Sequence, residues 1–298
     1  MKVLVIGGTY FLGRVFTMLS HQDYDLTLVN RGNYSMQQYG VKEYHFDRHD
    51  KMQWQKLTDD YDVIVDFCAY QKGDIETVIQ NLAGSFQHYI FISTVDVYQR
   101  GTGQFKDETH PLEYRHFAGE MGDYIYSKVL LEQELEQTCL ALNKNYTSLR
   151  PGQIYGPFNY APRESELIKR VINALPLVNI IDAKACFQLV YVKDVVKAIQ
   201  LIMNQHPKQH AFNIVNSQYY TYTDVNQSLS QCTQEPIQII DQTIQEAQIM
   251  NYPLIYPLYE EEMELYNGHL IESLGFTYTS LDEGMSKTYQ AFYPIYKK

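Results

Sequence analysis

Two residues near the middle of the chain, Tyr124 and Lys128, carry side chains suited to proton transfer. They stand four positions apart in DYIYSKVLLEQELEQ (123–137), so a helix places both on one face. An ammonium about 4 Å from a phenol attracts the phenolate by about 4 kcal/mol at an effective dielectric of about 20, enough to lower the phenol pKa by about 3 units. The pair therefore predicts a tyrosine with a lowered pKa that exchanges a proton with a substrate oxygen.

The position of this pair is more informative than its spacing, which recurs at Tyr293. Tyr293 lies in the terminal AFYPIYKK beside a proline and is expected to be structural. Tyr124 instead opens a helical pattern between two strand-like runs, the first of which ends at Thr94. Because ligands bind at the carboxyl ends of parallel strands, Thr94 and Tyr124 are expected to face the same crevice. Thr94, Tyr124 and Lys128 are the candidate catalytic residues.

A glycine-rich loop, VIGGTYFLGR (5–14), follows the first apolar run and precedes a helical pattern. In such a loop one glycine makes the turn, one lets the backbone approach a pyrophosphate, and one lets the helix pack on the strand. Tyr10 occupies the middle-glycine position, so a phosphate cradle and a simple tight turn both stay open. The N–H groups and positive end of the following helix favour a phosphate. The loop residues assigned to a cofactor are Gly7, Gly8, Thr9, Tyr10, Phe11, Leu12 and Gly13.

The end of the second apolar run, Asn30-Arg31-Gly32, bears on the choice of dinucleotide. An acidic residue here would accept hydrogen bonds from a free ribose 2′-hydroxyl. Asn30 has no charge, and Arg31 can pair with a 2′-phosphate through its forked donors. Asp47, after the third run, is a candidate partner of the adenine amino group. These residues favour NADP, with NAD as the alternative; a solvent-facing arginine in a turn is the competing interpretation.

The first half of the chain alternates between apolar runs and helical patterns. The runs lie at 2–7, 25–30, 42–46, 62–68, 88–94 and 146–151, and the helical patterns near 11–20, 51–58, 73–83 and 121–142. Near-continuous apolar strands separated by helices predict a parallel sheet that is covered on both faces. Right-handed crossovers then give an α/β fold with a doubly wound parallel sheet of the Rossmann type.

The pattern changes after residue 151, where helices near 164–175 and 193–205 are predicted beside strands at 187–192 and 211–216. We expect residues 1–150 to form a dinucleotide-binding domain to which 187–216 returns, and 151–186 and 217–298 to form a smaller, interleaved substrate lobe. The tail from 251 is rich in Tyr, Pro and Glu, and is expected to be less regular.

Composition argues against several classes of partner. The net charge of −11 repels a phosphate backbone, so no nucleic acid is expected. No apolar run approaches the roughly 20 residues that span a bilayer, and MKVLVIGG is too short for a signal peptide. The four cysteines have no disulfide or metal spacing, so we expect no metal and a reduced cytoplasm. The histidines expected to be solvated or in the core are His45, His49, His110 and His116.

Six stretches, in chain order, carry a resemblance to a known family: GGTYFLG, DVIVDFCAY, FISTVDVY, YIYSK, LRPGQIYGP and VYVKDVVKAI. The chain resembles the extended short-chain dehydrogenases/reductases, also called NAD(P)-dependent epimerases/dehydratases. The resemblance implies that Tyr124 is the acid/base residue, that Lys128 also holds the nicotinamide ribose, and that Thr94 bonds the reacting oxygen. It also implies that Ala69 and Pro151 line the dinucleotide.

Departures from the family pattern narrow the expected reaction. Tyr10 replaces the middle glycine, as in a GGTxFxG branch that includes RNA-binding relatives in chloroplasts; many of those lack the Tyr–Lys pair, which this chain keeps. Phe187 and Gln188 stand where sugar-nucleotide enzymes often have an arginine and an acidic residue, which argues against a UDP- or dTDP-sugar. Val95-Asp96 follows the threonine where sugar 4,6-dehydratases tend to have Asp-Glu, which argues against that dehydration.

The expected function is that of an NAD(P)-dependent oxidoreductase or epimerase acting on a small carbonyl, hydroxyl or sugar-type substrate. A cofactor-sensing protein without catalysis is the first alternative, and an RNA-binding module is the second. The helix at 121–142 resembles the family's dimerising element, so a homodimer through it is expected, with burial inside one subunit as the alternative.

Overall fold

The computed structural model describes residues 1–101, 105–159, 161–233 and 236–297. Its strands are β1 (Lys2–Ile6), β2 (Asp25–Asn30), β3 (Lys42–His45), β4 (Tyr61–Asp66), β5 (Phe86–Ile92), β6 (Asn145–Pro151), β7 (Gln153–Tyr155), β8 (Leu177–Ile180), β9 (Leu189–Tyr191), β10 (Ala211–Ile214) and β11 (Ile239–Gln242). Seven of them form one sheet in the order β10-β6-β5-β4-β1-β2-β3, with every pairing parallel. The predicted doubly wound α/β fold is confirmed.

The helices are α1 (Phe11–Ser20), α2 (Lys51–Trp54), α3 (Asp74–Asn81), α4 (Glu120–Ala141), α5 (Glu164–Ile172), α6 (Val192–Gln205), α7 (Tyr222–Ser230), α8 (Ile244–Ile249), α9 (His269–Glu272) and α10 (Leu281–Tyr296). The central strands β1, β4 and β5 are buried along nearly their whole length, as expected for a parallel sheet between helices. None of the helices in the described ranges is long and apolar enough to cross a membrane.

The sheet has a topological switch point at β1, which pairs with β2 on one side and with β4 on the other. Ile6 at the end of β1 is in register with Val29 of β2 and with Asp66 of β4. The loops that follow β1 and β4 therefore leave the same edge of the sheet side by side. In folds of this kind the crevice outside this edge is where ligands bind.

The chain forms two compact units, each made of three segments. The first unit comprises Met1–Arg100, Asp107–Gly152 and Val195–Ile214, and it contains the seven-stranded sheet. The second comprises Gly101–Lys106, Gln153–Asp194 and Val215–Lys298, and it contains two small parallel sheets, β7-β9 and β8-β11. All candidate catalytic and cofactor residues belong to the first unit.

The C-terminal tail is more regular than its composition predicts, because its last part forms the 16-residue helix α10. Leu281, Met285, Thr288 and Phe292 are buried along one side of this helix, at the i, i+4, i+7 and i+11 positions. Pro294 lies in the last turn. The expectation of a less regular segment was wrong for this last part only, since its frequent tyrosines and the proline hide the apolar spacing. Residues 251–259 and 263–268 contain no helix or strand.

Helix α4 buries Leu131 and Leu135 in the apolar core of the first unit. Met121, Leu140 and Leu142, at or just beyond the ends of the helix, are exposed. Part of the helix's leucine pattern is thus explained by packing within one subunit, and the homodimer stays a prediction.

A buried ion pair connects the loop after β3 to the end of β4. The Arg48 guanidinium donates two hydrogen bonds to the Asp66 carboxylate, at 3.1 and 2.8 Å, and the Tyr89 hydroxyl donates a third at 2.6 Å. Burial raises the pKa of Asp66, but the attraction and hydrogen bonds of Arg48 outweigh it, so the pKa lies below its ordinary value. Arg48 also donates to the Asp74 carbonyl oxygen at 2.8 Å, so the pair joins three segments.

Three histidines, His88, His206 and His210, lie near one another in the first unit, although no group of His, Cys, Asp and Glu among the described residues is arranged to hold a metal ion. His88 on β5 is fully buried, with its Nε2 atom 2.8 Å from the Thr147 hydroxyl. Burial, together with the charges of the other two histidines, lowers the pKa of His88 to about 3.

We expect this histidine to make the protein sensitive to acid. The pKa of His88 in the unfolded chain is about 6.5, so below that pH the unfolded chain binds the extra proton, and the free energy of unfolding falls by up to about 1.4 kcal/mol per pH unit. The free energy of unfolding, measured in urea, should be about 2 kcal/mol lower at about pH 5 than at about pH 7 because of this residue alone. His88→Gln should remove that part of the difference, and the exposed His269→Gln should not. Equal pH dependence in both variants would contradict the assignment.

Candidate active site

The structure brings Thr94, Tyr124 and Lys128 together beside the end of β5. Thr94 begins a short 3₁₀ segment (Val95–Val97) directly after the strand. Tyr124 and Lys128 are one turn apart on α4, with the Lys128 Nζ atom 5.8 Å from the centroid of the Tyr124 ring. The Thr94 side chain lies close enough to the Tyr124 phenol to lower the pKa of that phenol, although other causes outweigh this one. A hydroxyl, a phenol and an ammonium therefore lie close together.

Lys128 is held in place by two backbone carbonyls. Its Nζ atom donates to the oxygen of Ala69 at 3.0 Å and to the oxygen of Ile92 at 2.9 Å. The rings of Phe91 and Tyr70 also approach the ammonium, with centroids at 4.6 and 5.1 Å. Burial lowers the pKa of Lys128 to about 8, because removal from water disfavours the charged form. The carbonyls and rings fix the position of the charge without neutralising it.

The pKa of Tyr124 is raised to about 12, the opposite of the predicted direction. Burial is the largest cause, and the nearby Asp96 carboxylate is the next. Burial and the carboxylate outweigh any attraction from the Lys128 ammonium, which donates its hydrogen bonds to the Ala69 and Ile92 carbonyls. At neutral pH a phenol with this pKa holds its proton.

Asp96 also lies at this site, although its sequence position indicated only a difference from the Asp-Glu pair of sugar 4,6-dehydratases. The Thr94 hydroxyl donates to its Oδ2 atom at 3.0 Å, and the Asp96 backbone N–H donates back to the hydroxyl oxygen at 3.2 Å. These two bonds fix the rotamer of Thr94. Arg100 lies 3.7 Å from the other carboxylate oxygen. A carboxylate two positions after the strand-ending threonine is the sequence signal that could have identified it.

The glycine-rich loop is tightly packed against its neighbours. Gly7 has φ = +85°, and a Cβ atom at this position would lie 2.9 Å from the Cys68 sulfur. A Cβ at Gly13 would lie 2.2 Å from the Gly7 carbonyl oxygen, so only glycine lets α1 pack on the turn. Gly8, Thr9 and Leu12 of the same loop are buried, whereas Tyr10 is exposed. Phe11, the first residue of α1, has φ = +35°.

The start of α1 is suited to an anion. The first N–H groups of any helix have no partner within the helix, and they carry partial positive charge. Helices α3, α4 and α5 place acidic side chains in their first turn, but α1 has none, and the side chain at its N-cap, Tyr10, does not cap it. A phosphate is the ligand that such an uncapped helix start favours.

The predicted adenosine-binding residues lie at the ends of β2 and β3. Asn30 is buried; its Oδ1 atom accepts from the Gly32 N–H at 2.7 Å, and its Nδ2 atom has no partner among the described residues. Arg31 is exposed and close enough to Asp47 to lower the pKa of that carboxyl, although the hydrogen bonds from His49 contribute more. The structure thus leaves a buried amide donor and a guanidinium at the end of β2.

His49 is exposed, as expected, and it also makes specific contacts in this region. Its backbone N–H and its Nδ1 atom both contact Asp47 Oδ1, at 2.9 and 2.8 Å. Its Nε2 atom lies 2.9 Å from the buried Asp74 carboxylate, and these two carboxylates raise the pKa of His49. Asp74 also accepts the Tyr70 N–H at 2.8 Å. His49 therefore links the loop after β3 to the loop that carries Tyr70, and no spacing in the sequence indicated this.

The remaining predicted residues have different surroundings. Ala69 is fully buried and acts through its carbonyl, which holds Lys128. Pro151 is the buried last residue of β6, followed by Gly152, whose N–H donates to Ile214. In the second unit the Gln188 amide is fully engaged with backbone groups of residues 216 and 266.

One protein family matches most of the chain. The model of the NAD dependent epimerase/dehydratase family covers residues 3–215. The chloroplast stem-loop binding protein of 41 kDa b of Arabidopsis thaliana is 26% identical over 241 residues, which is 74% of this chain. The chain spans 60% of the length of that curated relative.

Solved structures share the fold. A UDP-N-acetylglucosamine 4-epimerase from Methanobrevibacter ruminantium M1, in complex with UDP-N-acetylmuramic acid, superposes with a TM-score of 0.77 at 16% identity, covering 98% of this chain and 97% of the other. A UDP-glucose 4-epimerase from Thermotoga maritima with UDP-glucose gives 0.75 at 18% identity, covering 99% of each chain. A UDP-glucose 4-epimerase from Thermus thermophilus in complex with NAD gives 0.70 at 17% identity, covering 98% and 99%.

Proposed function

Because this chain belongs to the NAD dependent epimerase/dehydratase family, we propose that it is a nicotinamide-dependent oxidoreductase or epimerase. Its substrate would be a small molecule or sugar with a hydroxyl or carbonyl group. The observation that carries the proposal is the convergence of Thr94, Tyr124 and Lys128 beside the end of β5. A substrate oxygen between the threonine hydroxyl and the phenol would receive or lose its proton there.

Each of the three side chains has a separate role in this proposal. Tyr124, with a pKa of about 12, carries the proton that is given to the substrate oxygen. Thr94, oriented by Asp96, bonds the same oxygen and places it. The ammonium of Lys128 stabilises the phenolate left after proton transfer, since opposite charges attract strongly in a buried site. When bound, the nicotinamide supplies the hydride acceptor or donor.

The residues of the first unit fit a dinucleotide. The uncapped start of α1 and the close turn at Gly7 and Gly13 fit the pyrophosphate. At the adenosine end we propose NADP as the cofactor, because Asn30 offers a buried donor and Arg31 offers a positive charge. NAD is the alternative, and it is the dinucleotide bound in the Thermus thermophilus structure.

Arg31→Ala tests this choice of cofactor. The variant should weaken NADPH binding by roughly 10- to 150-fold while NADH binding changes little, because a charge-assisted hydrogen bond to phosphate contributes about 1.5–3 kcal/mol. Titration of the bound cofactor's fluorescence gives both dissociation constants. Arg115→Ala, an exposed arginine of the same unit, is the control. If the ratio of the NADPH and NADH dissociation constants does not change, Arg31 does not bind the 2′-phosphate.

We propose a substrate that is not held by a contact between an arginine and a diphosphate, as substrates of sugar-nucleotide enzymes often are. Gln188 makes three hydrogen bonds to backbone groups of the second unit, and Phe187 stacks on Tyr256 with ring centroids 4.1 Å apart. Neither side chain is placed to act as a diphosphate ligand. A panel of free sugars, sugar phosphates, small carbonyl compounds and nucleotide sugars, scored by reduction or oxidation of bound cofactor, tests the proposal. Tight dinucleotide binding with no turnover of any member would favour the cofactor-sensing alternative.

RNA binding is the second candidate, because the Arabidopsis thaliana relative is a stem-loop binding protein by name. The net charge of −11 opposes it, since the affinity of proteins for RNA comes largely from neutralised phosphates. Filter binding of a stem-loop RNA at low salt separates the two functions. Salt-dependent retention by the wild-type chain, with no dinucleotide binding, would favour the RNA function.

A further inference from the structure

Two exposed tyrosines leave the carboxyl edge of the sheet on either side of the switch point. Tyr10 follows β1 and is 55% exposed; Tyr70 follows β4 and is 59% exposed. The two loops touch, since a Cβ atom on Gly7 would lie 2.9 Å from the Cys68 sulfur. The two tyrosines therefore stand on neighbouring loops at the sheet edge where α1 begins.

The backbone of each tyrosine is held by the surrounding structure. Tyr10 is the N-cap residue of α1 and has an extended conformation, with φ = −130° and ψ = 141°. The Tyr70 N–H donates to Asp74 at 2.8 Å, and its ring lies 5.1 Å from the Lys128 ammonium. The charge of Tyr10 contributes to the pKa of Tyr70, and that of Tyr70 to the pKa of Tyr124. Tyr70 therefore lies within electrostatic range of both Tyr10 and Tyr124.

We propose that Tyr10 and Tyr70 form a tyrosine clasp that covers the pyrophosphate and nicotinamide ribose of the bound dinucleotide and retains it between turnovers. The inference rests on the proposed function. A phenol suits this role because its ring buries apolar sugar surface while its hydroxyl donates to a phosphate oxygen. In this proposal the ring from each loop covers part of the ligand, so its release requires both rings to move.

Retention of the cofactor bears on the class of reaction. A dehydrogenase that changes the redox state of its substrate must exchange its nicotinamide after each turnover. A reaction that leaves the substrate at the same oxidation level, such as epimerisation, regenerates the cofactor in place and benefits from slow release. The tyrosine clasp therefore favours a redox-neutral reaction for this chain.

The test measures the rate at which preloaded NADPH, and separately NADH, leaves the full-length protein. Tyr10→Gly and Tyr70→Ala should each accelerate release at least tenfold, with association rates within threefold of the wild type. Tyr70→Phe keeps the ring and loses only the hydroxyl, so it should release the cofactor more slowly than Tyr70→Ala does. If the two rings act together, the factor by which the double variant accelerates release should be smaller than the product of the two factors measured for the single variants. Tyr259→Ala, an exposed tyrosine of the second unit, is the control.

The outcomes separate this inference from the proposed function. Release within twofold of the wild type in both Tyr10→Gly and Tyr70→Ala, with tight binding in the wild type, overturns the clasp and leaves the proposed function standing. A wild-type chain that binds neither NADPH nor NADH overturns both. Unaltered circular dichroism in Tyr70→Ala and Tyr10→Gly establishes that a faster release reflects the missing ring and not an unfolded loop.

Discussion

Tyr124→Phe should reduce turnover by about 10² to 10⁴, the range that a positioned proton donor contributes, while dinucleotide binding stays within threefold of the wild type. The substitution removes only the hydroxyl. The aromatic ring that lies 5.8 Å from the Lys128 ammonium remains, so the position of that charge should be kept. Turnover is measured as the change in absorbance of the nicotinamide with the substrate found in the panel, and binding as the dissociation constant of the reduced cofactor.

The control for this prediction lies on the same helix. Tyr126 stacks on His116, with ring centroids 4.9 Å apart, and Tyr126→Phe should leave turnover unchanged. Equal turnover in Tyr124→Phe and Tyr126→Phe would contradict a proton-transfer role of Tyr124. Loss of cofactor binding in Tyr124→Phe would instead assign Tyr124 to the binding of the dinucleotide. A fall in kcat with an unchanged KM is the result that the geometry predicts, because the proton is transferred only during the reaction.

The fold was predictable because its signal is local. The runs that form β1, β4 and β5 consist mostly of apolar residues, which a surface strand would not need, and helical patterns separate them. The same reasoning places Thr94 at the end of a strand and Tyr124 at the start of a helix. These placements need only the alternation of strands and helices, since all parallel strands end at the same edge of the sheet.

The electrostatics of the site were not predictable, because they depend on groups far apart in the chain. Lys128 is four residues from Tyr124, but its ammonium is held by carbonyls of residues 69 and 92. Burial then raises the pKa of Tyr124 where the spacing alone suggested a lower value. His49 shows the same limit, since the Asp74 carboxylate that it contacts is 25 residues away in sequence.

The largest expected effect on stability comes from Asp66→Ala, which should lower the free energy of unfolding by about 3–5 kcal/mol, the cost of removing one partner of a buried pair. Arg48 would stay inside the protein without its carboxylate, and the Tyr89 hydroxyl and Cys68 N–H would lose their acceptor. Urea unfolding measured by circular dichroism gives the change. Asp23→Ala, at an exposed position, should alter the free energy by less than about 0.5 kcal/mol.

A double variant separates the charge of Arg48 from the other losses. Arg48→Met combined with Asp66→Leu removes both charges and fills their volume, so it should be more stable than Asp66→Ala, because an apolar replacement of a buried ion pair is often neutral. Recovery should be partial, since the Tyr89 and Cys68 donors remain without an acceptor and the buried Asp74 carboxylate, 3.8 Å from Arg48 Nε, loses its cation. A double variant as unstable as Asp66→Ala would mean that these losses, and not the unpaired charge of Arg48, cause most of the destabilisation.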